Sequence, residues 1–341
     1  LLRLTSPTDT MLHEAVNRLL PLIPAENIFV QTSPELVAAI REAKLAIPDA
    51  NVIAEPCRRN TAGCLAYAAS YMMARYKNDG SGISMAVVTA DHRIGKPDQF
   101  IATLSKAMET VESTPALGTI GIPPDRPATG FGYVQAVLPE GTTDLETTPQ
   151  SFAVSSFKEK PPLDVAEKYV AEGNYFWNSG MFFWNIGTFA SQFQKADPAY
   201  GKAIQDMATA MGNGDETTVN AIFNDLKGIS IDYALMEKAE HVVMINATFP
   251  WDDIGTWSAL DRADNGDADG NVCNGDPVLI DSTGCIVYND EGAKKRAVAV
   301  IGMTDIVVVA TKDAVLVVPK DRTEDVKKAV QALGERGATQ L

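Results

Sequence analysis

The residues best suited to chemistry in this sequence are two aspartates and a lysine set at the ends of apolar runs. Val87-Val88-Thr89-Ala90-Asp91-His92 closes a nearly all-apolar stretch with Asp91. In open α/β sheets ligands lie beyond the carboxyl ends of the strands, so this carboxylate either meets a hard divalent cation there or caps the following turn. Phe249-Pro250-Trp251-Asp252-Asp253-Ile254-Gly255-Thr256-Trp257 sets two adjacent carboxylates between tryptophans. Neighbouring negative charges are costly unless a cation or a helix N-terminus receives them, which leaves a metal site or a solvated turn capping a helix at Thr256. Magnesium on substrate phosphates takes only one or two protein carboxylates, a pair that Asp91 and Asp253 can supply from distant parts of the chain.

Four further segments offer polar groups in suggestive settings. Phe157-Lys158-Glu159-Lys160-Pro161-Pro162 holds Lys160 in a proline-stiffened loop. Its compact ammonium suits a phosphate and Glu159 suits a sugar hydroxyl, while a charged solvent loop is the plainer reading. Arg126-Pro127-Ala128-Thr129-Gly130-Phe131-Gly132-Tyr133 is a glycine-bearing loop whose backbone can approach a ligand closely, although most such loops are only turns. In residues 175–184 the aromatics read as core, and Asn178 is the exception, a polar group that needs a partner such as a sugar hydroxyl or a backbone carbonyl. Glu55-Pro56-Cys57-Arg58-Arg59-Asn60-Thr61-Ala62-Gly63 links a strand end to a helix start. Asn60 or Thr61 caps that helix, or the loop reads a nucleobase edge such as guanine's N1–H and 2-amino donors, which a carboxylate can accept.

These segments sit on an alternating scaffold. Residues 27–31, 51–54, 84–90 and 116–122 read as strands, and residues 34–45 (Ser33 as N-cap, Pro34 in the first turn), 61–76 and 96–112 as helices. That alternation predicts an α/β, Rossmann-like doubly wound, mostly parallel sheet with helices on both faces. Residues 151–157 and 242–245 read as further strands, and residues 164–172 and 188–237 as helical. After Asp261 the Asp-, Gly- and Asn-rich run DRADNGDADGN reads as a linker. Short apolar strands at 278–280, 285–287, 298–301, 306–309 and 314–318 follow, then a helix at 323–333, which predicts a small left-handed β-helix-like domain. The expected domains are therefore residues 1–262 and 270–341. A doubly wound domain normally opens with a strand and a glycine-rich phosphate loop. Here the chain runs from Leu1-Leu2-Arg3-Leu4 almost directly into a helix capped by Thr10, so that first strand and loop are expected upstream of residue 1.

Composition narrows the function classes. A net charge of −15 disfavours attraction to nucleic acid or an anionic membrane, and a phosphate-rich substrate would then need a local cationic pocket or a divalent metal. No apolar run spans a bilayer and no secretory leader opens the chain. Cys57, Cys64, Cys273 and Cys285 form no CxxC pair and fit a reducing compartment, so a cytoplasmic protein is expected.

In this order and spacing, EPCRRNTA, TADH, RPATGFGY, FKEKP, WNSGMFFW and FPWDDIGTW closely resemble the bacterial mannose-1-phosphate guanylyltransferases (GDP-mannose pyrophosphorylases), a branch of the sugar nucleotidyltransferases. The resemblance runs through essentially the whole chain, up to Leu333. It implies transfer of GMP from GTP to mannose 1-phosphate, giving GDP-mannose and pyrophosphate, with Mg²⁺ held by Asp91 and Asp253. It further implies Lys160 on the sugar phosphate, Glu159 and Asn178 on mannose hydroxyls, Gly132 and Tyr133 along the sugar side, and Glu55, Asn60 and Thr61 at the guanine. Gly63 stands where the family usually has proline and Phe131 where it commonly has tyrosine. The family's glycine-rich signature loop would precede Leu1, and the chain ends before the isomerase domain of larger bifunctional relatives. The competing readings are another sugar 1-phosphate and nucleotide pair, or a non-catalytic GDP-mannose-binding subunit. A β-rich tail after a linker often packs on a neighbour, which makes a homodimer one expectation.

Overall fold

The computed structural model describes residues 3–338 apart from 5, 7, 256, 258–265, 291 and 293. Much of the expected linker and the Thr256 cap therefore lie outside the described residues. The chain divides into two compact units that do not follow chain order. Unit one gathers Leu1–Glu14, Ala90–Ile94 and Trp251–Leu341, and unit two gathers Ala15–Thr89 and Gly95–Pro250. The line differs from a split near residue 262 because two short strands, β4 (His92–Ile94) and β10 (Trp251–Asp253), pair antiparallel within unit one.

Unit two has the expected α/β character, with strand directions more mixed than predicted. A parallel pair joins β1 (Val30–Thr32) to β2 (Val52–Ala54). The main sheet runs in the order β3-β8-β5-β9-β7-β6, comprising β3 (Ser84–Val87), β5 (Leu117–Ile122), β6 (Tyr133–Ala136), β7 (Ser151–Lys158), β8 (Tyr175–Asn185) and β9 (Val242–Asn246). Only β5–β9 is parallel in it: the long β8 runs antiparallel to β3, β5 and β6, and β7 runs antiparallel to β9 and β6. Every residue of β5 is buried, as expected for a strand covered on both faces.

After α1 (Met11–Leu19), helices α2 (Pro34–Glu42), α3 (Asn60–Tyr76) and α4 (Pro97–Ser113) follow the predicted spans closely, with proline in the first turn of α2 and α4, and α5 (Leu163–Glu172) and α6 (Ile186–Ala196) come next in the chain. The small buried residues Ala62, Ala66 and Ala69 let α3 approach α7 (Pro198–Gly212) so closely that Ser70 Oγ donates to Ile204 O at 2.9 Å. Aromatics fill the rest: Trp184 stacks on Phe189 at 4.4 Å, Phe189 meets Phe193 edge-on at 5.0 Å, and Phe193 stacks on Tyr200 at 5.0 Å. Between β1, α3 and β3 lies a cavity of about 570 Å³, lined by Phe29, Ile53, Leu65, Met72 and Val87 among others. Gln31 also lines it, and Gln31 Oε1 is buried without a hydrogen-bond partner among the described residues.

Unit one carries the predicted coil of short rungs. The strands β11 (Val272–Asn274), β13 (Ile286–Asn289) and β15 (Ile306–Ala310) stack in parallel, and β16 (Val315–Pro319) closes the sheet antiparallel to β15. A second parallel pair is β12 (Val278–Ile280) with β14 (Ala299–Ile301), and the helix Val326–Glu335 follows. Inward residues such as Ile286, Val307 and Val309 make its core. No helix among the described residues is long and apolar enough to cross a membrane.

Trp184 gives a test of the aromatic core. Its ring is fully buried, while its indole Nε1 has no partner among the described residues. Trp184→Ala is expected to cost about 3–5 kcal/mol in urea unfolding. Trp184→Phe removes an unsatisfied donor together with some volume, and is expected to cost less than about 1.5 kcal/mol. Equal losses in the two variants would contradict this packing.

Candidate functional site

Within unit two, β8 places Asn178 beside an irregularity in β5 between Thr119 and Gly121. Its side-chain amide is held by three protein contacts. Oδ1 accepts from Thr119 Oγ1 at 2.9 Å and from Gly180 N at 3.2 Å, while Nδ2 donates to Asp232 Oδ1 at 3.1 Å. The Gly180 N–H can only donate, which fixes the amide oxygen on that side. The main-chain N–H of Asn178 donates to Gly132 O at 2.8 Å and ties β8 to the glycine-bearing loop.

The end of β7 brings Glu159 and Lys160 to the same place. Lys160 adopts φ 48°, a left-handed conformation uncommon for a residue with a side chain, immediately before Pro161. Its Nζ lies 3.4 Å from Glu159 Oε1; the lysine side chain is 61% exposed and the glutamate 13%. Burial holds the Glu159 carboxyl above the ordinary carboxylate range, the charge of Asp232 adds to that, and Lys160 opposes it. Asp232 is raised too, chiefly by burial. A shielded acceptor, an oriented amide and an exposed ammonium suit a ligand that carries hydroxyls at one end and an anion at the other.

Gly132 explains how this patch stays open. A Cβ on it would fall 2.5 Å from Glu159 Oε2 and 3.4 Å from Asn178 Cβ. Tyr133 is wholly buried, and its hydroxyl donates to Ala128 O at 3.0 Å, so it staples the loop from beneath. Phe131 meets Trp177 edge-on at 5.1 Å, and the Arg126 guanidinium lies over the Trp177 ring at 4.9 Å.

The segment from Glu55 to Thr61 lies elsewhere in unit two. Gln31 Nε2 reaches Glu55 Oε2 at 3.4 Å, and burial raises the Glu55 carboxyl. The neighbouring Cys64 thiol is pushed up to about 12 by burial and by the Glu55 charge. Asn60 opens α3 at φ 57° with its Oδ1 accepting from Thr61 N at 2.7 Å. Thr61 Oγ1 accepts from Ile231 N at 2.8 Å, which binds this helix start to the segment leading into Asp232.

The two aspartates belong to unit one. In the β4–β10 ladder Asp253 faces His92, and one step on, Ile254 N donates to Asp91 O at 3.1 Å. Residues 91 and 253, far apart in sequence, are thus neighbours at one end of a short ladder. Gly255 N donates to Asp253 Oδ1 at 2.8 Å, and Trp251 Nε1 donates to His92 Nδ1 at 3.1 Å across the strands.

With that geometry in place, the sequence matches the family profile described as Nucleotidyl transferase over residues 6–270, most of the chain. The chain belongs to the nucleotidyl transferase family. A second profile, the MannoseP isomerase/GMP-like beta-helix domain, matches residues 275–333. A putative mannose-1-phosphate guanylyltransferase of Vibrio cholerae serotype O1 is 34% identical over 331 residues, covering 96% of this chain and 68% of that protein. A mannose-1-phosphate guanylyltransferase of Klebsiella pneumoniae is 36% identical over 328 residues, covering 95% and 67%. The solved structure of a mannose-1-phosphate geranyltransferase from Thermus thermophilus superposes with a TM-score of 0.81 at 31% identity, covering 96% of this chain and 90% of that one.

Nucleotidyl transferases of this kind generally use a divalent metal ion. The ladder sets residues 91 and 253 side by side in the backbone, and one or two carboxylates are what a hard cation on substrate phosphates takes from a protein. Among the described residues no group of three or more histidine, cysteine, aspartate or glutamate side chains gathers into a protein cage. Asp232 and Glu237 are the residues that sequence reasoning overlooked. The run IDYALMEK reads as one more helical stretch, with nothing to single out its carboxylates.

Gly132→Ala tests the patch. The added methyl must displace the Glu159 carboxylate, so kcat/KM for nucleotidyl transfer is expected to fall about tenfold with an unchanged unfolding midpoint. Wild-type kinetics in this variant would mean that Glu159 does not meet the ligand from this position.

Proposed function

We propose that this chain transfers GMP from GTP to mannose 1-phosphate, forming GDP-mannose and releasing pyrophosphate. The observation that carries the reading is the match to curated mannose-1-phosphate guanylyltransferases at 34–36% identity over 95–96% of the chain. The reaction is an in-line displacement: a phosphate oxygen of mannose 1-phosphate bonds to the α-phosphorus of GTP. The bond from that phosphorus to the α–β bridging oxygen breaks, and pyrophosphate leaves with the electron pair. No protein nucleophile is required, so the chain's task is positioning and charge neutralisation.

In this reading Lys160 meets the sugar phosphate as a point charge, and its exposure leaves the ammonium free to reach an incoming anion. Glu159 accepts a hydroxyl hydrogen of mannose, and Asn178 donates to a second hydroxyl through its remaining Nδ2 hydrogen. Gly132 admits the sugar, and Tyr133 holds the loop that carries it. Glu55 accepts from the guanine N1–H and 2-amino group, with Asn60 and Thr61 shaping the adjoining helix start. Asp91 and Asp253 hold the metal, which we take to be Mg²⁺. When bound, the ion neutralises charge on the phosphates.

A strand upstream of Leu1, with a glycine-rich phosphate loop at its carboxyl end, completes the proposal. Among the described strands β1 pairs only with β2 and β3 only with β8, so each offers an open edge. The apolar cavity beside them and the unpartnered Gln31 Oε1 suit an inserted strand with a backbone N–H to donate. Hydrogen exchange of residues 84–87 should slow at least about a hundredfold in a chain extended upstream by its own gene sequence. Unchanged exchange there would refute the inserted strand.

Pyrophosphate release with a panel of nucleotides and sugar 1-phosphates tests the reaction itself. GTP with mannose 1-phosphate should exceed glucose 1-phosphate with UTP or dTTP at least about tenfold in kcat/KM. A flat panel overturns the assignment, and GDP-mannose binding without turnover would make the chain a binding subunit. At fixed Mg²⁺, Asp253→Asn should lower turnover about a hundredfold, whereas near-normal activity would remove Asp253 from the metal site.

A further inference from the structure

In unit two the chain forms a π-helical turn at Asp232–Met236, and Glu237 N donates to Asp232 O, five residues back, at 3.0 Å. In an α-helix, residues five apart point about 140° apart around the axis. The wider π turn swings them toward one side, and such turns are rare and concentrate at functional sites. Here the consequence is visible in two contacts. Asp232 Oδ1 accepts from Asn178 Nδ2 at 3.1 Å, and Glu237 Oε1 accepts from the main-chain N of Glu159 at 3.4 Å. The turn is itself held in place, because Ala234, Leu235 and Met236 are buried and Ile231 N is bound to Thr61 Oγ1.

The hydrogen-bond inventory of Asn178 then decides what it can do. Oδ1 accepts from Gly180 N and faces Thr119 Oγ1, whose single hydrogen it shares with Met181 O at 3.1 Å, and one Nδ2 hydrogen goes to Asp232. One N–H remains. Glu159, as a carboxylate, can only accept. We infer that Asp232, carried by the π turn, is a positioning residue that locks Asn178 as a donor beside the acceptor Glu159, so that the pair selects a ligand with an accepting oxygen next to a donating hydroxyl. The inference rests on the function proposed above and concerns how its sugar is recognised.

Steady-state kinetics with GTP, mannose 1-phosphate and Mg²⁺ on wild type, Asp232→Ala and Asp232→Asn test it. Asp232→Ala leaves Oδ1 held by Gly180 and Thr119 but releases the Nδ2 side of the amide, and is expected to raise KM for mannose 1-phosphate at least about tenfold, leaving KM for GTP within about twofold. Asp232→Asn still offers an Oδ1 to Asn178 and should return the sugar KM to within about threefold of wild type. It also removes a charge that lifts Glu159, among the facing groups Asp232, Glu237 and Lys160, so the acid limb of kcat/KM should move to lower pH. Equal losses in the two variants, or an unchanged sugar KM in Asp232→Ala, overturn the inference. If Asp232→Ala does not fold, Asp232→Ser, too short to reach Asn178 Nδ2, takes its place: a raised sugar KM with an unchanged GTP KM supports positioning, and an unchanged sugar KM refutes it. A wild-type protein that turns over some other substrate pair would overturn the functional assignment instead, a result visible before any variant is made.

Discussion

One side-chain amide ties several elements of unit two together. Asn178 lies in the strand that pairs with β3, β5 and β6, and its polar atoms reach Thr119 on β5, Gly132 in the glycine-bearing loop and Asp232 on the π turn. A half-buried polar group in an otherwise buried apolar strand needs partners, and three protein contacts hold this one in place. The aromatic residues around it supply the burial that makes this demand strict. The core that stabilises β8 thus also fixes the strand from which Asn178 projects.

Charge is the second constraint. Glu159, Asp232 and Glu237 crowd one lysine in a chain whose net charge is −15. Burial and mutual repulsion lift the first two carboxyls, which makes both more ready to take a proton than an exposed carboxylate. Their stabilising effect on the fold is accordingly fullest at acid pH and is lost as pH rises through the raised values, opposite to an ion-paired carboxylate. Lys160, held at φ 48°, is the cation that offsets this locally. Its backbone strain persists because Pro161 and the neighbouring β7 leave the loop few alternatives.

Much of this was legible in the sequence. The α/β alternation could be read because apolar runs and helix caps are local signals, and Pro34 marks a helix start in the structure as it does in the sequence. Strand direction was not legible: an apolar run such as residues 175–185 says that a strand is covered, not which way its neighbours run. The three-residue strands β4 and β10 are too short to show a period. Asn178, Glu159 and Lys160 stood out as polar groups in apolar or proline-rich settings, whereas Asp232 and Glu237 did not. The residue that widens a helix into a π turn leaves no mark in a 3.6-residue pattern, and only the packing reveals which carboxylates it turns inward. Tyr133 marks the opposite case, since a tyrosine beside a glycine loop reads as a lining residue until its hydroxyl is seen bonded beneath the loop.

The two aspartates depend on a different core, and that core lies in the rung-built unit. A three-residue ladder is too short to be stable by its hydrogen bonds alone. What holds β4 against β10 is the residue that follows Asp253. Ile254 is 6% exposed and packs with Ile286, Tyr288 and Val307 of the β-helix-like core, while its N–H donates to Asp91 O. On the ladder itself, Trp251 and His92 clasp across the strands with ring centroids 5.1 Å apart. Residues 91 and 253 are therefore set side by side in the backbone by an apolar anchor one residue away. The rung-built unit is in this sense part of the working structure, because removing it would take away the surface into which Ile254 is sunk and leave the ladder to its own few bonds.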